Sequence, residues 1–599
     1  MCIYLRTFGL IAYNSLIIVF FLILNTNLFS QSNNVNSEFY TNWVIQDPLF
    51  RDILDFEFAE NRPQKKIGLF YWSWHQGHFA EVEPRNISEI LERDYSSLNN
   101  FEHPLWEGKD GRHFWGEPLF GYYRSTDKWV ARKHAEMLAD SKIDVVFFDT
   151  TNPPWLWDES LEIITSEWIK ASNEGIKVPK IAFMMPFTPN EESKEMITRL
   201  YKTYYASGKF KSLWFYWKGK PLILGYPDNI SKKIKEFFTF RPPQPDYRKG
   251  PSREDHWGWL EEFPQNGYVV DKYGFYEQTT VGVSQNATDE LVPAAMNSKN
   301  QVYGRSYTKK RGHTKDSVNY GLNFQEQWER ALELDPQLIF VTGWNEWTAG
   351  RYRKWQGTEN AFPDQFNQEY SRDIEPMKNG HKDYYYIQLI KNIERFKGSN
   401  KLTPITKLTM NIDGDFSDWK KVKLIFHDHK ANLKPRHSQG YGSTLYQLKP
   451  QNIDFLSSKV CHDSVSLYFF LKFKTIKKLK DNNSVTLLID FDRDFKTGWN
   501  GYDLSIEFDK TSESAIINKN IGNQLKWKVI EKVRFKLDNS SLEFAISKHL
   551  LEKECLSEFS GLEFKWISDF RSIEDATDFY WKVEVAPSGR FNYFVFKDD

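Results

Sequence analysis

The chain has 599 residues with 79 basic and 80 acidic side chains, a balance that offers nothing to attract nucleic acid or an anionic membrane surface. That length exceeds one ordinary domain and fits a large domain followed by a smaller one. Aromatic residues make up 17%, with 22 Trp and 30 Tyr, more than packed cores need, which favours a surface that meets carbohydrate.

In chain order, Arg6, the apolar run Leu16 to Leu24 and the polar stretch ending at Gln31 read as a secretory signal over 1–31. An uncleaved N-terminal anchor is the alternative. Cys2 lies on the wrong side of the apolar run for lipoprotein acylation. The expectation is a secreted, periplasmic or cell-surface protein with no membrane span after signal cleavage. Cys461 and Cys555 then allow one disulfide at most, or a free pair.

A polar lead-in (32–65) precedes Lys66-Ile67-Gly68-Leu69-Phe70-Tyr71, the first predicted strand, which ends in Trp72-Ser73-Trp74-His75. The aromatic connection from Asn99 to Tyr123 is long enough to wall a cleft. A helix over 128–140 feeds the strand 143–149, which ends on Asp149, and a helix over 157–174 follows. Residues 180–186 form a third strand and 191–205 a helix. A hairpin over 212–226 turns at Lys218-Gly219-Lys220 and leads to Asp228. Residues 237–241 and 277–285 read as further strands, separated by the loop HWGWLEEFP. A helix over 323–335 stops at Pro336.

The seventh strand is the run Leu338 to Trp344. It is apolar throughout, as a strand buried on both faces should be, and it carries Asn345, Glu346 and Trp347 at its end. Arg372 to Pro376 reads as a short eighth strand, and 383–396 as the closing helix. The fold class is therefore α/β, a (β/α)8 TIM barrel over 66–398. A linker over 399–408 leads to an all-β sandwich over 409–599, where short strands replace helices.

Indole faces suit the C–H faces of sugar rings, while carboxylates and amides meet the hydroxyls. Glu346 and Asp149, each closing an apolar strand, are the expected catalytic pair, since glycoside hydrolysis needs an acid and a partner flanking the scissile bond. Asp228, Asp373 and Glu375 are further acids at strand ends, and Glu277 lies nearer its strand's start. Trp72, Trp74, His75, Trp344, Asn345 and Trp347 are the expected sugar-facing residues. No HExxH, CxxC or phosphate-cradling loop appears, so no required cofactor is expected.

The run Trp344-Asn345-Glu346-Trp347-Thr348-Ala349-Gly350 resembles the glycoside hydrolase family 99 and 71 group of barrels. The hairpin WFYWKGKPLILGYP and the ending Arg-Asp-Ile-Glu-Pro-Met support that likeness. The resemblance implies a glycosidase whose first motif glutamate, matching Glu346, assists the sugar's own 2-hydroxyl. Ala349 stands where the second motif glutamate would be, so either a second carboxylate comes from elsewhere or the chain is a different family within that clan.

The C-terminal part resembles carbohydrate-binding module family 9 or DOMON-like sandwiches, through Asn411 to Trp419, Ile489 to Asp494 with Thr497-Gly498-Trp499, and Ala586 to Tyr593. Trp499 is its candidate glycan contact. Asp490, Asp492 and Asp494 alternate as oxygen ligands of a structural Ca²⁺ do, a polar β-turn being the alternative. The function expected is cleavage of a polysaccharide or complex glycan, by an endo-acting hydrolase. A carbohydrate-binding protein without catalysis, or a polysaccharide lyase, is the alternative on the same scaffold.

Overall fold

The computed structural model describes residues 40–51, 60–106, 112–152, 155–399, 401–429, 434–475, 485–509, 512 and 514–598. The leader expected over 1–31 lies outside them. Among the described residues, no helix is long and apolar enough to cross a membrane.

Seven strands run parallel in one curled sheet: β1 (Lys66–Tyr71), β2 (Val145–Asp149), β3 (Lys180–Met184), β4 (Lys220–Leu224), β5 (Thr239–Phe240), β6 (Tyr276–Gly282) and β7 (Leu338–Thr342). Their spatial order is β5-β4-β3-β2-β1-β7-β6, so the first and last strands of the series lie side by side. Helices α1 (Lys128–Asp140), α2 (Asp158–Asn173), α3 (Glu191–Leu200), α4 (Lys232–Phe237), α5 (Leu322–Leu334) and α6 (Tyr384–Lys397) follow β1, β2, β3, β4, β6 and β7.

Strand parity decides what faces the inside of the curl. Val145 and Phe147 pack there with Phe70, Leu338 and Phe340, while Val146, Phe148, Ile339 and Val341 join the separate cluster under the helices. The same alternation turns Asp149 inward. No ladder joins β5 to β6 among the described residues. Side chains make that join instead: Arg241 donates to Glu277 through Nε (2.9 Å) and Nη2 (3.1 Å), and the indoles of Trp217 and Trp257 donate to the same carboxylate. Glu277 is therefore occupied in closing the curl.

The expected eighth strand takes another form. Residues 371–375 stand outside any ladder and are bonded against the end of β7. Gly343 N donates to Arg372 O (3.1 Å), Ile374 N to Gly343 O (3.1 Å) and Glu375 N to Trp344 O (3.0 Å). Gly343 leaves room for its other neighbour, since a Cβ there would meet the Phe70 ring of β1 at 2.9 Å.

The C-terminal strands β8 (Ile453–His462), β9 (Ser466–Thr475), β10 (Val485–Asp490), β11 (Leu504–Phe508), β12 (Ser514–Asn520), β13 (Trp527–Leu537), β14 (Ser541–Ser547), β15 (Gly561–Ser568) and β16 (Asn592–Phe596) form one antiparallel path, β16-β15-β10-β11-β12-β13-β14-β9-β8. The path folds over at β13, which pairs with both β12 and β14. Its two halves face each other through ring contacts such as Phe469–Phe564 and Phe508–Phe544. Trp43–Val44 of the lead-in pairs with β16, so the two ends of the chain share one sheet. Cys461 and Cys555 are both free.

This module is bonded to the curled sheet's outer layer. A hairpin, Arg436–Gln439 with Leu445–Leu448, reaches the start of α1. There Arg436 pairs with Asp127 at 2.7 Å, the same aspartate that caps α1 by accepting from Trp129 N and Val130 N. His429 pairs with Asp140 at 2.6 Å, and Tyr580 donates to Asp383 at 3.1 Å.

Candidate active site

Glu346 lies beyond the C-terminal end of β7 and Asp149 is the last residue of β2, the two strands that flank β1. Both are nearly enclosed, at 5% and 3% exposure. Burial pushes the Glu346 carboxyl up to about 8, against Arg372, with the charges of Asp364, Asp373 and Asp149 adding to the rise. Burial likewise holds Asp149 up to about 7, opposed by hydrogen bonds from Thr151 N (3.1 Å) and Thr151 Oγ1 (2.8 Å) to its Oδ1. Near neutral pH a buried carboxylic acid is thus available beside a second carboxyl.

Arg372 organises the floor. Its Nη2 donates to Glu346 Oε2 at 3.1 Å and lies 3.8 Å from Asp364 Oδ1. Its Nε and Nη1 are buried without a protein partner. Asp373 is buried beside it and accepts from Trp115 Nε1 at 2.6 Å. Burial raises Asp373 to about 7, and its Oδ1 has no protein partner.

An indole run climbs from this floor to the surface. Trp72 and Trp74 lie 4.1 Å apart between ring centres, Trp74 and Trp157 5.2 Å, and Trp157 and Trp155 5.3 Å. The Arg112 guanidinium covers Trp72 and Trp74. Trp155, 48% exposed, ends the run in solvent. On another side Trp259 stands 6.0 Å from the Arg372 guanidinium and packs on Tyr247 and Phe187.

Other predicted residues take supporting places. Trp344 and Trp347 are fully buried. Trp347 stacks on Trp115 (4.7 Å) and donates to Glu375 at 2.6 Å, so both motif indoles pack in the interior rather than facing a sugar. Glu375 also accepts from Tyr123 (2.7 Å) and meets His134 Nε2 at 2.9 Å, which leaves it a structural hub. Asn345 bonds both backbone groups of Trp72, at 2.9 and 3.1 Å, tying β7's end to β1's. His75 is buried too, its Nε2 at 3.0 Å from Asn345 O and its Nδ1 at 3.2 Å from Tyr441 OH. Burial lowers it to about 4, so it stands as neutral imidazole.

Asp228 lies away from these groups, exposed in an ion pair with Arg253. Trp499 is buried among Tyr502, Phe570 and Phe579 in the C-terminal module, its ring packed in an apolar cluster. Asp490 and Asp492 converge with Asp503, not Asp494, with one oxygen of each within 4.8 Å of the others. Asp494 is exposed and accepts from Lys496 N.

Sequence reading missed Asp364, Arg372, Trp259, Tyr247, Trp155 and Trp157 as site residues. The HWGWLEEFP loop was the signal for Trp259. The Asn-Pro-Pro-Trp-Leu-Trp stretch after Asp149 carried a comparable one for Trp155 and Trp157.

No family model and no curated protein matches the chain. Among solved structures, the GH99 endo-alpha-mannosidase from Bacteroides thetaiotaomicron aligns in a complex with BIS-TRIS-propane, at 16% identity and a TM-score of 0.34 over 55% of this chain and 97% of that one. A second structure of that enzyme aligns at 15% identity and a TM-score of 0.33 over the same shares.

Proposed function

We propose that the chain is a secreted glycoside hydrolase that cleaves a polysaccharide or complex glycan internally, in a (β/α)8-type barrel of which the curled sheet is the core. The observation that carries this reading is Glu346: a buried carboxyl past a strand's C-terminal end, 3.1 Å from Arg372, with Asp149 buried at the end of the next strand but one and burial raising both. A carboxyl that keeps its proton at neutral pH is what a general acid toward a glycosidic oxygen requires.

The chain's residues divide the task. Glu346 donates the proton, and Arg372, 3.1 Å away, fixes its second oxygen and steadies the carboxylate left behind. Asp149 adds a negative charge that favours the oxocarbenium-like transition state. Trp155, exposed at the end of the indole run, offers a ring face on which a glycan chain lies, and Trp259 adds a second ring near Arg372.

The test is release of new reducing ends from a polysaccharide panel by the mature chain, beside Glu346→Gln. Release by the wild type alone supports the reading, and oligosaccharide products support endo action. Unsaturated, ultraviolet-absorbing products would make it a lyase. Silence with retention of one polymer on an affinity gel would make it a binding protein.

A further inference from the structure

Asp364 ends no apolar strand run, so no pattern in the chain singles it out. It sits in the loop after the hairpin Tyr352–Trp355 with Thr358–Ala361. That loop is fixed at each step: Phe362 N donates to Asn297 (2.9 Å), Pro363 O accepts from Asn286 (3.4 Å), and the Gln365 side chain accepts from Arg372 N (2.9 Å). Its carboxylate is held 3.8 Å from the same Arg372 nitrogen that binds Glu346 at 3.1 Å. The Glu346 and Asp364 oxygens on that nitrogen therefore lie at most about 7 Å apart, a ceiling that reaches the lower end of the roughly 6.5–9.5 Å separation at which a water-activating carboxylate stands from its partner acid.

Its charge reaches both other acids, raising Glu346 and Asp149 alike. Solvent access separates it from them. The Asp364 side chain is 45% exposed, whereas those of Glu346, Asp149 and Asp373 are enclosed. Asp364 is thus the acid of this group that solvent reaches most readily, and it shares an Arg372 nitrogen with Glu346.

We propose that Asp364 is the second catalytic carboxylate, the base that activates water; this rests on the hydrolase reading above. Glu346 gives its proton to the glycosidic oxygen as the C1–O bond breaks and its electron pair stays on that oxygen. The water oxygen bonds to C1, and Asp364 takes the proton that the water loses. That proton returns to Glu346 through solvent, so the net change is addition of one water across the bond. Asp364 thus supplies the group that Ala349, at the motif position, does not.

The experiment compares wild type, Glu346→Gln, Asp149→Asn and Asp364→Asn on the polysaccharide that the wild type cleaves, with and without sodium azide. The expected result is a loss in kcat of about 100-fold or more for Asp364→Asn at unchanged thermal midpoint. Azide needs no deprotonation, so it should restore turnover to Asp364→Asn and yield a glycosyl azide, and should do nothing for Glu346→Gln. An Asp364→Asn variant within threefold of wild type, beside an inactive Glu346→Gln, overturns the assignment and leaves the hydrolase reading standing. Azide rescue of Asp149→Asn instead moves the role to Asp149. A wild type that releases nothing from any polymer removes both readings together.

Discussion

The Tyr441 hydroxyl, carried by a hairpin of the C-terminal part, meets His75 Nδ1 at 3.2 Å at the end of the first strand. The other nitrogen of His75 bonds the carbonyl of Asn345, the residue before Glu346. With the imidazole neutral, Nε2 donates to that carbonyl and Nδ1 accepts from the phenol. The C-terminal module thus reaches the acid through two hydrogen bonds.

Tyr441→Phe should therefore act on both stability and turnover. It strands a buried acceptor on His75, which costs about 1–3 kcal/mol, readable as a lower denaturation midpoint. It also loosens the segment that aims Glu346, so kcat should fall about tenfold with KM unchanged. A variant with wild-type kcat would show that the hairpin serves packing alone.

Truncation after Lys397 should give no folded barrel. The cut removes the Arg436 partner of Asp127 and the His429 partner of Asp140, the ion pairs that fasten the module to α1. It also uncovers apolar surface continuous with the sandwich core. Far-ultraviolet circular dichroism and sedimentation of the truncated chain check this, the expected outcome being aggregated or unfolded protein. A soluble, cooperative monomer would make the module a mere appendage.

Acid strength gives a prediction with a definite sign. Glu346, Asp149 and Asp373 are raised by burial to about 8, 7 and 7, so the folded chain holds protons that the unfolded chain releases at ordinary carboxylate values near about 4. Their contribution to stability is full below those values and is lost as pH rises toward about 8. The thermal midpoint should fall between pH 5 and pH 8, and Glu346→Gln should flatten the fall. If Glu346 is the acid, kcat/KM should decline above about 8. A profile that rises through that range would remove it from the role.

Much of the fold was legible because its strands are unmixed apolar runs. VVFFD and LIFVT allow no amphipathic helix and take the places expected of them. The (β/α)8 pattern reads less directly: β5 is two residues long, and the eighth unit is an unpaired segment whose function is to deliver Arg372 and Asp373. Glu346 and Asp149 could be picked because each ends such a run. Asp364 could not, because its place depends on Asn286 and Asn297, both distant in sequence, and on a turn of the chain that brings Arg372 back to it. Aromatic density misled in one respect. Trp344, Trp347 and Trp499 have the composition of a sugar platform and the burial of a core, and only packing separates the two.

That separation can be measured with one pair of variants. Trp155 is 48% exposed at the outer end of the indole run, whereas Trp499 is 6% exposed inside a cluster of apolar rings. Trp155→Ala should leave the denaturation midpoint nearly unchanged, since its ring already meets water, and should raise KM for a long glycan while sparing kcat on a short one. Stacking against a sugar acts through binding, so the loss should grow with chain length until the subsite beyond Trp155 is filled. Trp499→Ala should do the reverse, costing about 3–5 kcal/mol of stability by opening a core cavity and leaving polymer retention by the folded fraction unchanged. If Trp499→Ala instead abolishes retention at an unaltered midpoint, the ring is exposed in solution and the C-terminal module binds glycan through it. If Trp155→Ala leaves the length dependence of KM intact, the indole run ends at Trp157 and the glycan leaves the site by the Trp259 side.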